Sequence, residues 1–236
     1  MYKKKLIYTI IPARSGSKSI KNKNIVKINK KPLIDFSIQT SLKSKYIDRT
    51  FVLTDSIKYK KISETSGAEV PYIRSKKVSG DNTSDYTTIN DFLEKLTVLK
   101  IILPDYLVHL RPTSPLRKVK IVDDAVKKFI NSKDYTSLRS VHIMEESSYK
   151  TLEISNKTLV CSYTKNKNLD KLNEPRSKFP KTYFANGYVD IISVKYLLQN
   201  KKLHGNHVFP FISDDPCDID GKLSLDYFKF RIKNAT

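Results

Sequence analysis

The sequence of 236 residues predicts an α/β protein built on a doubly wound, mostly parallel sheet. Short apolar runs alternate with segments of helical spacing through the first half of the chain, and polar loops follow the apolar runs. This alternation is typical of parallel strands joined by right-handed crossovers. Ligands bind such sheets at the carboxyl ends of the strands, so we expect the polar loops to form a site there.

Strands and helices are predicted in turn along this half of the chain. Residues 5–12 are nearly all apolar, which is typical of a strand that is buried on both faces. Three further strands are predicted from apolar runs at 50–54, 68–73 and 105–110. Ser56 is placed to cap one helix, which Gly67 would end. The helical segments are 33–43, 57–66, 86–100 and 118–131.

The alternation breaks in the second half of the chain. Residues 140–187 are rich in Lys, Asn and Ser and contain two prolines. We interpret this segment as an insertion within one domain that spans residues 1–236. A strand is predicted again at 188–194, and a helix near 222–232.

Composition narrows the class of protein. The formal charge is +20, but the lysines are scattered and no ladder of aromatic residues accompanies them, so we expect no nucleic-acid binding. A basic nucleic-acid-binding protein stays the alternative of another class. No apolar run approaches the length of about eighteen residues that a membrane span needs. The basic and apolar start stops at Ala13, which favours a first strand in a cytoplasmic protein over a signal peptide.

The loop that follows the first strand is the most informative segment. Residues 13–24 hold Arg14, Lys18 and Lys23 together with three serines and a glycine. Small residues let backbone N–H groups approach an anion, and these cations can neutralise a triphosphate. Neither the Walker A pattern nor the dinucleotide-binding glycine pattern is present. A solvated basic loop is the alternative interpretation.

Residues 11–25 closely resemble the signature loop of the acylneuraminate cytidylyltransferase family, the CMP-sialic acid synthetases. Four further segments resemble that family in the same order. They are Leu53–Ser56, Pro112–Arg117, Pro175-Arg176 with Asn186-Gly187, and Asp218–Asp220. The resemblance covers about residues 5–228. It implies a Rossmann-like nucleotidyltransferase with a small inserted dimerisation element, and hence a homodimer.

The resemblance also implies an activity and the residues that bind the nucleotide. The enzyme would couple CTP to an acidic sugar and release pyrophosphate. Arg14 and Lys18 would stabilise the transferring phosphate, with Ser17 and Lys23 beside them. The remaining nucleotide contacts would be Asn24, Arg74 and Asp85, although Asp85 also fits an ordinary polar loop position.

Two carboxylates near the end of the chain are candidate metal ligands. Asp218 and Asp220 are two residues apart, so in extended chain their side chains point to the same side. Such a pair can hold Mg²⁺, which takes substrate phosphates and waters as its other ligands. An Asp-x-Asp pattern alone equally fits a solvated turn. The resemblance favours the metal site and adds both residues to the catalytic set.

The expected sugar pocket departs from the family pattern. Arg111 stands where these enzymes usually have glutamine, and Phe184 stands where they usually have arginine. Lys150 matches a family lysine that is expected near the sugar carboxylate, and Asn186 belongs to the matching Asn-Gly pair. The acceptor therefore stays open among sialic acid, a legionaminic-type sugar, another nonulosonic acid and a phosphonate. Core packing is the alternative role for Phe184.

Overall fold

The computed structural model describes residues 1–214 and 217–233. A six-stranded sheet forms its centre, with the strand order β10-β6-β9-β5-β1-β4. Its strands are β1 (Ile7–Pro12), β4 (Arg49–Leu53), β5 (Tyr106–His109), β6 (Ser137–Ile143), β9 (Tyr183–Ser193) and β10 (Val208–Ile212). Two small ribbons pair β2 (Lys27–Ile28) with β3 (Lys31–Pro32), and β7 (Leu152–Ser155) with β8 (Thr158–Cys161).

The predicted mostly parallel sheet is confirmed. Strand β1 pairs in parallel with β4 and with β5, and β10 pairs in parallel with β6. Strand β9 is antiparallel to both of its neighbours, β5 and β6. Across the described residues, five of the six strands therefore run in one direction and β9 runs in the other.

Helices cover both faces of the sheet, as a doubly wound fold requires. They are α1 (Leu33–Leu42), α2 (Ile57–Thr65), α3 (Asp85–Val98), α4 (Val119–Asn131), α5 (Val194–Asn200) and α6 (Lys222–Lys233). One core cluster joins β1 to α1 and α4 through residues such as Ile38 and Phe129. A second cluster packs Phe92 of α3 and Leu197 of α5 against the opposite face. Among the described residues, no helix combines the length and the apolar character needed to cross a bilayer.

The prediction of a strand at 68–73 was wrong. This segment runs beside β4 and forms a single bridge there, between Glu69 and Phe51. The Glu69 N–H donates to the carbonyl of Thr50 at 2.8 Å, and the Val52 N–H donates to that of Glu69 at 2.9 Å. Pro71 has no N–H to continue the ladder, so the pairing ends after one residue.

The predicted insertion is shorter in the structure. Residues 140–143 belong to β6, and residues 183–187 belong to β9, so the segment outside the sheet is 144–182. The sequence also gave no indication of β6, α5 or β10. Strand β6 carries polar residues that hide its period, and β10 contains Pro210, which argues against a strand on sequence grounds.

Candidate active site

A cavity of about 430 Å³ lies at the carboxyl ends of β1 and β5. The loop after β1 forms one wall, and the loop that precedes α3 forms another. Eight of the predicted site residues line this cavity, although they come from four separate parts of the chain. They are Arg14, Ser17, Lys18, Lys23, Asn24, Arg74, Asp85 and Arg111.

Side-chain hydrogen bonds hold the loop after β1 in shape. Asp55 accepts from the Ser15 N–H at 2.8 Å and from the Ser15 hydroxyl at 3.0 Å. Asn24 is buried and donates from Nδ2 to the carbonyl of Arg14 at 3.0 Å. In this structure Asn24 thus fixes the backbone that carries Arg14, and Asp55 anchors the next residue. The role of Asp55 was not predicted, although it lies within one of the recognised segments.

Asp81 bridges the two cations expected at the phosphates. Its carboxylate pairs with Arg14 and, at 2.5 Å, with Lys18 Nζ. Hydrogen bonds from Lys18 and Arg14 lower the pKa of Asp81, so it is an anion at neutral pH. Both cations are therefore paired with this carboxylate, and phosphate oxygens must compete with it for them.

Arg74 is the buried cation of the cavity, with 5% of its surface exposed. Its Nη2 donates to the carbonyl of Val78 and, at 2.9 Å, to the hydroxyl of Thr88. Its Nε is buried and has no partner within the described chain. Burial lowers the pKa of Arg74. Arg74 lines the cavity, but its unused N–H is buried and is not exposed to a ligand.

Arg111 lies between two carboxylates. Its Nη1 donates to Asp190 Oδ2 and its Nη2 donates to Asp85 Oδ2, each at 2.9 Å. Burial acts to lower the pKa of Arg111, but Asp190 and Asp85 raise the net value above the ordinary one. Next to this group, burial lowers the pKa of His109 to about 4, so this imidazole is neutral at neutral pH. Arg111 is therefore a neutralised cation and is poorly suited to bind a substrate carboxylate.

Arg117 ties the loop after β5 to strand β9. Arg117 is buried, with 7% of its surface exposed, and burial lowers its pKa to about 9, so it still carries charge at neutral pH. It contacts five acceptors, none of which is a carboxylate. They are the carbonyls of Tyr188, Arg111 at 2.7 Å, Ser114 at 2.5 Å and Gly187 at 2.8 Å, and the hydroxyl of Ser37 at 3.0 Å.

Asp218 and Asp220 lie next to this cavity. Both are exposed, whereas Cys217 and Ile219 are buried, so the two carboxylates lie on the same side, as the spacing predicted. Lys23 Nζ donates to the carbonyl of Ile219 at 2.9 Å and lies 3.8 Å from Asp220 Oδ1. The loop after β1 thus contacts the segment that carries both carboxylates.

Three predicted sugar-contacting residues lie outside the cavity. Lys150 is in the 144–182 insertion, with its Nζ 5.3 Å from the centre of the Phe179 ring. Phe184 is 59% exposed, so the alternative role in core packing is wrong. Asn186 is buried and donates from Nδ2 to the Ser213 hydroxyl at 2.9 Å.

Sequence reasoning missed several members of the site, and some of them had a signal. Arg117 closes the recognised Pro112–Arg117 segment. Asp190 is a charged residue within the apolar run of β9, which is a sign of a buried partner. The bridging role of Asp81 had no such signal, because its partners are 63 or more positions away in sequence.

Comparisons with known proteins identify the family of the chain. A family model described as Cytidylyltransferase matches residues 8–233. N-acylneuraminate cytidylyltransferase of Escherichia coli is 28% identical over 223 residues, which cover 94% of this chain and 50% of the relative. CMP-N,N′-diacetyllegionaminic acid synthase of Campylobacter jejuni is 29% identical over 228 residues, which cover 96% of this chain and 94% of the relative.

A solved structure supports the same fold. CMP:2-keto-3-deoxy-manno-octonic acid synthetase in complex with CTP aligns with a TM-score of 0.71 and 14% identity, and covers 98% of this chain and 100% of that one. The chain spans half the length of the Escherichia coli relative and nearly all of the Campylobacter jejuni one. Because the family model matches almost every residue, the chain belongs to the cytidylyltransferase family.

Proposed function

We propose that this chain uses CTP to activate a nonulosonic acid, a sialic-acid-like sugar of the legionaminic type, to its CMP-sugar with release of pyrophosphate. The convergence of Arg14, Lys18, Lys23 and Arg74 on one cavity carries this proposal. A cluster of four cations beside a loop of small residues suits a triphosphate. The names of the aligned relatives supply the acceptor class.

The proposed reaction is an in-line displacement at the α-phosphorus of CTP. The anomeric hydroxyl oxygen of the sugar forms the new bond to phosphorus and gives its proton to Asp218 or Asp220, from which it passes to water. The bond from the α-phosphorus to the bridging oxygen breaks, and pyrophosphate leaves with that electron pair. Arg14 and Lys18 stabilise the negative charge on the phosphate oxygens, and Ser17 helps to orient the triphosphate.

We further propose that Asp218 and Asp220 hold Mg²⁺. Their fit is supported by two exposed carboxylates on one side of an extended segment that contacts Lys23. No cluster of three or more acidic, His or Cys side chains occurs among the described residues. Mg²⁺ is usually bound by one or two carboxylates and completes its shell with phosphates and water. The ion would neutralise charge on the phosphates when it is bound.

We also propose a cytoplasmic homodimer that is formed through the 144–182 insertion. Exposed apolar side chains on and beside the β7–β8 ribbon support this idea, among them Ile154, Leu159 and Tyr163. A dimer would also give Lys150 and Phe184 a partner surface. Light scattering during size-exclusion chromatography measures the mass, and a monomer at micromolar concentration would contradict the dimer.

The decisive experiment is pyrophosphate release with each of the four nucleoside triphosphates and Mg²⁺, against a panel of nonulosonic acids and small phosphonates. Release with CTP and one sugar acid is the expected result. Release with a phosphonate alone would move the assignment to a cytidylyltransferase that acts on a non-sugar anion. Salt-sensitive binding of nucleic acid without any pyrophosphate release would favour the basic binding protein instead.

Two variants test the assigned roles. Arg14→Ala should lower the rate by at least ~10²-fold, because it removes a cation that stabilises the transferring phosphate. Asp220→Ala should abolish the response of turnover to Mg²⁺ concentration. Lys195→Ala, in the exposed part of α5, is the matched loss of a cation outside the site and should leave the rate unchanged.

A further inference from the structure

The two ends of the cavity have opposite electrostatic character. Arg14, Lys18, Lys23 and Arg74 dominate one end, where Asp81 is the counter-ion. At the other end, the single cation of Arg111 lies between the two carboxylates of Asp85 and Asp190. The first end therefore attracts phosphates, whereas the second end repels any anionic group.

At the anionic end, the acceptor that a ligand can reach belongs to Asp85. Asp190 Oδ1 and His109 Nε2 also have no partner within the described chain, but both atoms are buried and out of reach of a ligand. Asp85 lines the cavity, its side chain is 46% exposed, and Arg111 contacts only its Oδ2. Loss of contact with water tends to raise the pKa of Asp85, but His109 and Arg111 bring the net value below the ordinary one. The exposed acceptor of this group is thus a charged carboxylate in a fixed position.

This group adjoins the carboxylates that we assign to Mg²⁺. A methyl group at Gly187 would lie 3.5 Å from Arg111 Cδ and 3.6 Å from Ser114 Oγ. The Ser114 hydroxyl in turn donates to Asp218 Oδ1 at 3.5 Å. Arg111 and Ser114 therefore both flank Gly187, and Ser114 contacts Asp218. By the proposed function, Asp218 lies where the acceptor meets the α-phosphorus, so the anionic end is on the acceptor side.

We propose that Asp85 determines acceptor specificity by accepting a hydrogen bond from a hydroxyl or amide N–H group of the sugar. This inference rests on the proposed function and moves Asp85 from the nucleotide to the acceptor. Arg111 is a positioning residue, because it holds Asp85 through one nitrogen and is itself held by Asp190 through another. The carboxylate of the sugar lies away from this wall, because like charges repel each other.

The test separates binding of the acceptor from binding of the nucleotide. Asp85→Asn keeps the shape of the side chain and removes its charge. With N,N′-diacetyllegionaminic acid as the probe, KM for the sugar should rise roughly tenfold or more, as expected for a lost hydrogen bond to a charged group. The Kd for CTP, measured by calorimetry, should stay within about twofold of the wild-type value. Asp35→Asn removes an acidic residue from the first turn of another helix and is the matched control.

A weaker Kd for CTP with an unchanged KM for the sugar would return Asp85 to the nucleotide and overturn the inference. Sugar analogues that each lack one hydroxyl or one acetamido group give a second measurement. The analogue that lacks the group bound by Asp85 should react more slowly than the full sugar with the wild-type enzyme. With this analogue, Asp85→Asn should cause no further loss of rate. Additive losses for every analogue would overturn the inference, and Asp85→Ser replaces Asp85→Asn if the latter does not fold. No pyrophosphate release by the wild-type enzyme with any sugar acid would overturn the proposed function and this inference together.

Discussion

Replacement of Arg117 with lysine keeps a positive charge but removes donors from the buried centre that joins the loop after β5 to β9. The guanidinium contacts five acceptors. The Arg111 carbonyl keeps two other donors, the Ser114 N–H and the Ser37 hydroxyl. The carbonyls of Tyr188, Ser114 and Gly187 each accept from a different guanidinium nitrogen, and the single nitrogen of a lysine ammonium leaves about two of them without that partner. Each buried acceptor without a partner costs about 1–3 kcal/mol, which gives a loss of roughly 2–6 kcal/mol. That is a large fraction of the roughly 5–15 kcal/mol by which a domain is stable.

Urea unfolding followed by circular dichroism measures this loss. The midpoint should fall by roughly 1–2 M, given the typical slope for a protein of this size. Arg231→Lys is the matched control, because Arg231 is exposed on α6 and its contact with the Tyr227 ring, 5.9 Å from the ring centre, contributes about 1 kcal/mol or less. Equal midpoints for Arg117→Lys and the wild-type protein would refute the reasoning. The acceptors would then find other partners, and the guanidinium would not be what holds the loop against β9.

Three further changes follow from the same structure. Asp81→Asn removes the carboxylate that competes with phosphate for two cations, so calorimetry should show severalfold tighter binding of CTP, and weaker binding would contradict the competition. The pKa of His109 is about 4 in the folded protein, against an ordinary value near 6.5. Between these two values the unfolded chain binds a proton that the folded protein does not, so the free energy of unfolding should fall by about 3 kcal/mol as pH falls from about 6.5 to 4. His109→Gln should lack this component in urea titrations at several pH values, and identical slopes would contradict it. Gly205→Ala places a methyl group 2.5 Å from Tyr196 Oη at φ +72°, so the Tm should drop by several degrees, whereas Gly221→Ala meets no atom within 4 Å and should not change it.

Much of the first half of the fold could be predicted from the sequence, because its apolar periods are strong. Strand β1 and helices α1 to α4 lie within two residues of their predicted bounds. The Ser56 cap is also confirmed, since its side chain accepts from the Tyr59 N–H. The family resemblance implied that Arg14 and Arg74 share a site, and the rule that polar loops after parallel strands meet at one edge agreed, although 68–73 forms a single bridge and not a strand.

The remainder depends on contacts between residues that are distant in the chain. Arg111 and Asp190 are 79 positions apart, and Asp190 is placed by the register of β9 against β5, where it pairs with His109. The pattern of neighbouring residues in the sequence does not predict the register of β9 against β5. As a result, the sequence indicated a new cation at Arg111, whereas the structure shows a cation that two carboxylates already neutralise.

The direction of β9 has a consequence for how enzymes of this shape can diverge. Ile143 ends β6, Tyr183 begins β9, and the two residues are paired across the sheet. The 144–182 segment therefore leaves and returns through two points that lie about 5 Å apart, at the edge that carries the cavity. Because its two ends are adjacent, the inserted segment can be lengthened, shortened or exchanged while β6 and β9 keep their register. The length and surface of this segment can thus change while the strands that carry the cavity stay as they are.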